Sequence, residues 1–278
     1  MKFRKLLTAL LLAAGVVFVA GWQQADSPSE VLKKIIAAQK ELDYDTVAKL
    51  SHGEDKKGYK NLAEQINALK AAAKNGDKDA QERLDGAKAK LRNWNVDVKA
   101  EEIDGDLAVV YCVSAGDGPS YEFFEKVDGE WKNISDEDYT KAVLAKYAAP
   151  KGLSPSEVVR RMVDAMKTMN PYAAANWSCG KEREDTLKVA LEIVKTKAAA
   201  YGGDEEAKKT LDELKAGVES WNVKVAGETI DGDYAVVDVV VSGSPDGKNG
   251  PDKVYLKKVD GEWKMMDDDE YKRERSAR

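Results

Sequence analysis

Two hydrophobic periods alternate along the chain. Behind "SPSE" at Ser27, apolar residues fall at Val31, Leu32, Ile35, Ile36 and Leu42, the spacing of a helix face. Ser27 is placed to cap that helix, Pro28 suits its first position, and Glu30 completes a capping box. The same start recurs at Ser154 with Glu157, followed by Val158, Val159, Met162, Val163, Met166 and Met169. Short second helices are predicted over 45–50 and 172–177. Long helical regions follow, from about 59 to 92 and from about 184 to 220, nicked by "NGD" and "GGD". The period then drops to two. Trp94, Val96 and Val98 alternate with polar neighbours, as in a half-buried strand. The next strands, "LAVVYCV" and "YAVVDVVV", are apolar on both faces and so are predicted central or covered.

Turn chemistry separates these strands. Asp104–Gly105 and Asp231–Gly232, each in "IDGD", are placed for two-residue type I′ turns. The heptapeptide "KVDGEWK" occurs at Lys126 and again at Lys258. Its Asp128–Gly129 and Asp260–Gly261 pairs read as hairpin turns, and Trp131 and Trp263 as side chains packing across the strands. The heptapeptide is therefore architecture and not an active-site motif.

The chain is one unit written twice. Residues 27–113 match residues 154–240 at 36 of 87 positions without a gap. The offset then grows from 127 to 132, because the second copy carries five extra residues around "SGSPDGKNGPD". An indel there marks a surface loop. The predicted class is α+β: two tandem domains, each three N-terminal helices followed by a four-stranded antiparallel meander.

The motifs "SPSEVV" at Ser154, "IDGDYAVV" at Ile230 and "KVDGEWK" at Lys258 resemble the nuclear transport factor 2-like family. The likeness is to its bacterial extracytoplasmic branch, often lipoproteins of unknown function. It covers Ser27–Tyr139 and Ser154–Tyr271. It implies two cone-shaped domains, in each of which a bent, cystatin-like sheet wraps a long helix, at 26–140 and 154–272 with a linker at 141–153. That fold hosts isomerases, dehydratases, binding domains and scaffolds, so it is silent on activity.

Length and composition agree with two cores. The chain has 278 residues, 43% hydrophobic and 34% charged, enough to bury a core in each half and stay soluble. The N-terminus differs from the rest. Lys2, Arg4 and Lys5 precede the uncharged stretch Leu6–Ala20, as in an export signal. Residues 1–22 are assigned to that signal, with cleavage allowed after Gly21. "VAGW" resembles a lipobox, but Trp22 stands where the lipidated cysteine would be and has no thiol to acylate. The expected location is extracytoplasmic: periplasmic, secreted or tethered at the membrane through the N-terminus. Without the signal, 41 Lys+Arg face 50 Asp+Glu, a net charge of −9. With no basic stripe, nucleic acid is excluded as a partner. Two cysteines, Cys112 and Cys179, make no disulfide framework.

Candidate chemistry is sparse. Asp238 is the only charge within "YAVVDVVV" and is the first candidate for a general base, although its counterpart in the other copy is Tyr111. The sole histidine, His52, is the second catalytic candidate, as a general base or nucleophile, with Cys179 as its counterpart; both precede a glycine, and the preferred reading is a helix C-terminus. Acidic clusters at Asp136–Asp138 and Asp267–Glu270 lack the ligand spacing of a calcium loop, so no metal is expected. No cofactor motif is present in the sequence. Three functions compete. The leading one is a non-catalytic binding or envelope-associated protein that takes a small apolar ligand, an envelope component or a protein, its domains pairing within the chain through their sheets. The alternatives are an isomerase- or dehydratase-like enzyme with one active copy, and an inhibitor or immunity-type module acting through its acidic surface.

Overall fold

A computed structural model describes residues 26–148, 150–168, 171–243 and 249–277. The signal assigned to residues 1–22 lies outside them. No helix among the described residues is long and apolar enough to cross a membrane.

The first copy runs α1 (Pro28–Lys40), α2 (Tyr44–Leu50), α3 (Gly53–Lys74), α4 (Lys78–Arg92), β1 (Val96–Asp104), β2 (Leu107–Ser114), β3 (Gly118–Val127), β4 (Glu130–Ile134) and α5 (Asp136–Lys146). The second runs α6 (Pro155–Lys167), α7 (Pro171–Ala175), α8 (Gly180–Gly202), α9 (Glu205–Ser220), β5 (Asn222–Asp231), β6 (Tyr234–Ser242), β7 (Gly250–Val259), β8 (Glu262–Met266) and α10 (Asp268–Ser276). The described residues thus form an α+β protein with ten helices and two separate four-stranded antiparallel sheets, each a simple meander.

Local chemistry explains the repeated motifs. Both capping boxes form, at Ser27/Glu30 and Ser154/Glu157. The second serine of each "SPSE" has a further task. The amide and hydroxyl of Ser29 donate to Glu101 Oε2 at 3.0 and 2.6 Å, and those of Ser156 donate to Glu228 Oε2 at 3.0 and 2.5 Å. The motif therefore ties the start of α1 and α6 to the edge strands β1 and β5. The nick in each long helical region is a full break. Gly76 (φ 93°) and Gly203 (φ 103°) end one helix, and Asp77 and Asp204 cap the next. This gives four helices before each sheet, where three were expected.

The two hairpin types differ. Asp128 (φ 52°) and Gly129 (φ 84°) both lie in the left-handed region between the paired residues Val127 and Glu130, as a type I′ turn requires; Asp260 and Gly261 repeat it. The "IDGD" turns are not of this type. Asp104 pairs with Leu107, so the central residues are Gly105 and Asp106, and only the glycine has positive φ. That is the type II′ pattern, with glycine first, and Asp231–Gly232 is corrected in the same way. Trp131 lies opposite Lys126 in the hairpin, with the ammonium 5.6 Å from the ring centre, and Trp263 and Lys258 match it at 5.6 Å.

Each sheet buries its inner face against its own helices. Ala108, Val110, Cys112, Phe124 and Trp131 pack on Val31, Leu32, Ile35 and Ile36; Ala235, Val237, Val239, Leu256 and Trp263 pack on Val158 and Val159. The outer faces diverge. In the first sheet Leu107, Val109, Tyr111, Phe123 and Ile134 pack on Tyr139 and Val143 of α5 and on Ala190, Val194 and Ala198 of α8. The expected pairing of sheet with sheet is not what the structure shows; a helix of the second copy covers the first sheet. Glu102 fastens this contact, accepting from Tyr111 Oη at 3.1 Å, Lys197 Nζ at 2.9 Å and Tyr201 Oη at 3.1 Å. The outer face of the second sheet meets α10, through Tyr271 against Tyr234 and Tyr255, and Val240 stays 42% exposed.

Candidate ligand cavity

Alternation along β3 puts Ser120, Glu122 and Phe124 on the inner face of the first sheet. Phe124 seals the core, while Glu122 faces a cavity of about 160 Å³. The cavity lies between α1, α3 and the strands, and Gln39, Tyr59, Trp94, Cys112, Ser120 and Asn133 contribute to its wall. Asn133 comes from β4. Its Nδ2 donates to Glu122 Oε2 at 3.2 Å and to the Phe123 carbonyl at 3.1 Å. Cys112 Sγ and Ser120 Oγ lie 3.1 Å apart.

Burial dominates the electrostatics. It raises the Glu122 carboxyl above the usual carboxylate range; the hydrogen bond from Asn133 opposes this, and the nearby charge of Asp55 adds to it. Asp55 is itself raised, by burial and by Asp138. The Tyr59 phenol is pushed up to about 12 by burial and then by Glu122 and Asp55. The cavity therefore holds one carboxyl raised by burial, two amides and several hydroxyls.

The second copy puts carbon at most of these positions and keeps polar residues at two, Thr186 for Tyr59 and Asp252 for Ser120. By the 127 and 132 offsets, Gln39 becomes Met166, Cys112 becomes Val239, Ser114 becomes Val241, Glu122 becomes Val254 and Asn133 becomes Met265. The strand registers confirm the equivalence, since Val110 pairs with Glu122 and Val237 with Val254. Val239 and Met265 are core residues there. None of these first-copy residues stands out in the sequence as a candidate site. The signal was present as a polar-for-apolar exchange at inward strand positions between the two copies.

The residues that do stand out in the sequence lie elsewhere. Asp238 is on the outer face of β6, opposite Lys253, with 3.6 Å between their charged atoms and about half of its side chain exposed. It does not line this cavity, so it is no general base for it. His52 is not at a helix C-terminus but at the N-cap of α3, its Nδ1 3.4 Å from Glu125 Oε2. Cys179 is the N-cap of α8 and donates Sγ–H to the Met265 carbonyl at 3.3 Å; burial raises its thiol to about 11. Both cysteines are free. His52 and Cys179 thus each bond within their own copy.

The glycines after them explain the shared pattern. Gly53 (φ 59°) and Gly180 (φ 53°) begin α3 and α8, and a Cβ on either would run into the carboxylate of Asp138 or Glu270. Asp138 accepts from the Glu54 amide at 3.1 Å and Glu270 from the Lys181 amide at 3.4 Å. The acidic clusters therefore begin α5 and α10 while serving the N-termini of α3 and α8. No group of side chains suited to a metal occurs among the described residues.

Comparisons of the chain with protein families, with curated proteins and with solved structures find no match.

Proposed function

We propose that this protein is a non-catalytic extracytoplasmic binding protein, built from a duplicated cone-fold domain, whose ligand site is the polar cavity of the first copy. One observation carries the reading: Glu122, Asn133, Gln39 and Ser114 line a cavity in the first copy where the second has Val254, Met265, Met166 and Val241. Buried polar groups cost stability unless they are satisfied, and the second copy shows that the architecture stands without them. The second copy then has a structural task, covering the first sheet with α8. A volume of about 160 Å³ is about five waters at ~30 Å³ each. The ligand is accordingly small and polar, with a donor or acceptor for the Glu122 carboxyl, rather than the apolar molecule expected from the sequence alone. The export signal assigned to residues 1–22 supports an extracytoplasmic setting.

Native mass spectrometry of the chain purified from its exported location tests this. A small bound mass, released on denaturation and absent from Glu122→Leu, is the expected result. A bare mass for the wild type, with no thermal shift in a screen of small hydroxy and amino compounds, rejects it.

Glu122 and Tyr59 line the same cavity, and burial raises the Glu122 carboxyl; this favours a second reading, an acid–base enzyme in the first copy, with Glu122 and not Asp238 as the base. Exchange of α-protons into small ketones in D₂O, followed by NMR and lost in Glu122→Gln, distinguishes it from pure binding.

A further inference from the structure

Where the copies meet, a larger cleft of about 600 Å³ opens between the outer face of the first sheet and the helices of the second copy. Its floor is apolar and aromatic: Val109, Tyr111, Tyr139, Tyr172, Ala190 and Val194 line it, all buried. The charges around it divide into two groups. Glu102 is saturated by Tyr111, Tyr201 and Lys197, and Asp104 is held by Lys146 and Tyr147. Arg161 and Asp164 have neither a side-chain hydrogen bond nor an ion pair with any described residue. They are exposed, opposite in sign and three residues apart on α6. That spacing puts them on one face of the helix, with Cβ atoms about 5–6 Å apart.

From this arrangement we infer that the cleft is a second binding site, for a zwitterionic small molecule with an apolar body. Arg161 takes the anionic group, Asp164 takes the ammonium group, and the tyrosine-lined floor takes the apolar part. An extended dipeptide carries an ammonium group at one end and a carboxylate at the other, the two charges that the rim pair would meet. A volume of about 600 Å³ is in the range of small-molecule pockets. A purely anionic or purely cationic ligand would leave one rim charge opposed. The site owes nothing to the cone cavity and stands or falls without it.

Isothermal titration of the full chain with leucyl-phenylalanine tests the inference, beside its N-acetyl form (anion only), its amide (cation only) and dihexanoyl phosphatidylethanolamine below its micelle concentration. The dipeptide is expected to bind more tightly than either singly charged form. Arg161→Ala should weaken the dipeptide and the N-acetyl form about ten- to hundredfold, the range of one charge-assisted hydrogen bond, and spare the amide. Asp164→Ala should do the reverse, and Glu122→Gln should change nothing. Preference for the phosphatidylethanolamine with the same response to both variants upholds the site and makes its source a lipid headgroup. No binding of any probe at millimolar concentration overturns the inference. Equal binding of all probes, or losses that ignore ligand charge, also overturns it. Both substituted side chains are exposed, and circular dichroism confirms that the variants fold.

Discussion

Replacing Glu122 by glutamine should make the protein more stable at neutral pH, against the usual sign of a core substitution. The carboxyl binds its proton more tightly in the folded chain than in the unfolded one, where its value is near 4.3. Between those two values the folded state holds the extra proton, so stability falls as pH rises from about 4 and levels off above the folded value. Each unit of separation costs the wild type about 1.4 kcal/mol at the plateau. Glutamine keeps a carbonyl for the Asn133 Nδ2–H and removes the charge. The variant should thus match the wild type at pH 4 and exceed it at pH 7.5. One such unit is worth about 2–4 °C in Tm. Urea midpoints of both proteins at the two pH values give the measurement, and titration of Asp55 largely cancels in the difference. A variant that is less stable at pH 7.5, or shifted equally at both pH values, would refute the claim that Glu122 is strained by burial.

Three further outcomes test the architecture. Gly53→Ala should destabilise by more than ~1 kcal/mol, since φ is 59° and the Cβ meets Asp138, whereas Gly58→Ala, in open space on the same helix, should stabilise by up to ~1 kcal/mol; chemical denaturation of the pair reads the opposite signs. Asp128→Val should cost about 1–2 kcal/mol in the same assay, because a β-branched residue resists the φ of 52° needed by the type I′ turn, while Asp128→Gly stays within ~1 kcal/mol of wild type. Val194→Asn installs the residue that the first copy carries at the equivalent Asn67; on α8 it buries an amide against the first sheet and should lower stability by about 2–4 kcal/mol, with faster hydrogen exchange in β2.

Much of the fold was legible because local rules agreed with one another. Capping boxes, helix-spaced apolar residues, alternating strands and Asp-Gly turns each settle within a few residues, and the duplication presented every signal twice. The nicked helices broke fully because the capping aspartates Asp77 and Asp204 start new helices after Gly76 and Gly203. The "IDGD" turn type was misread because the register moved the glycine to the first central position. His52 was misread for a related reason: a residue before glycine ends a helix or starts one, and only the acid arriving from α5 decides for a start.

The candidate site was less legible, since a polar residue in a strand pattern declares neither a cavity nor a surface. Glu122 became informative only when β3 was paired and its partner position, Val254, was seen in the second core. The covering of the first sheet follows from side chains remote in sequence. Leu187, Val194 and Tyr201 give α8 an apolar face, whereas their counterparts Lys60, Asn67 and Lys74 keep α3 in water. The sequence by itself determined the elements, their order and the repeat, because those depend on neighbours within a turn or a hairpin. Only the tertiary structure decided which face met which, where space remained, and which charges were left unpaired, because these depend on packing between residues that the chain keeps far apart.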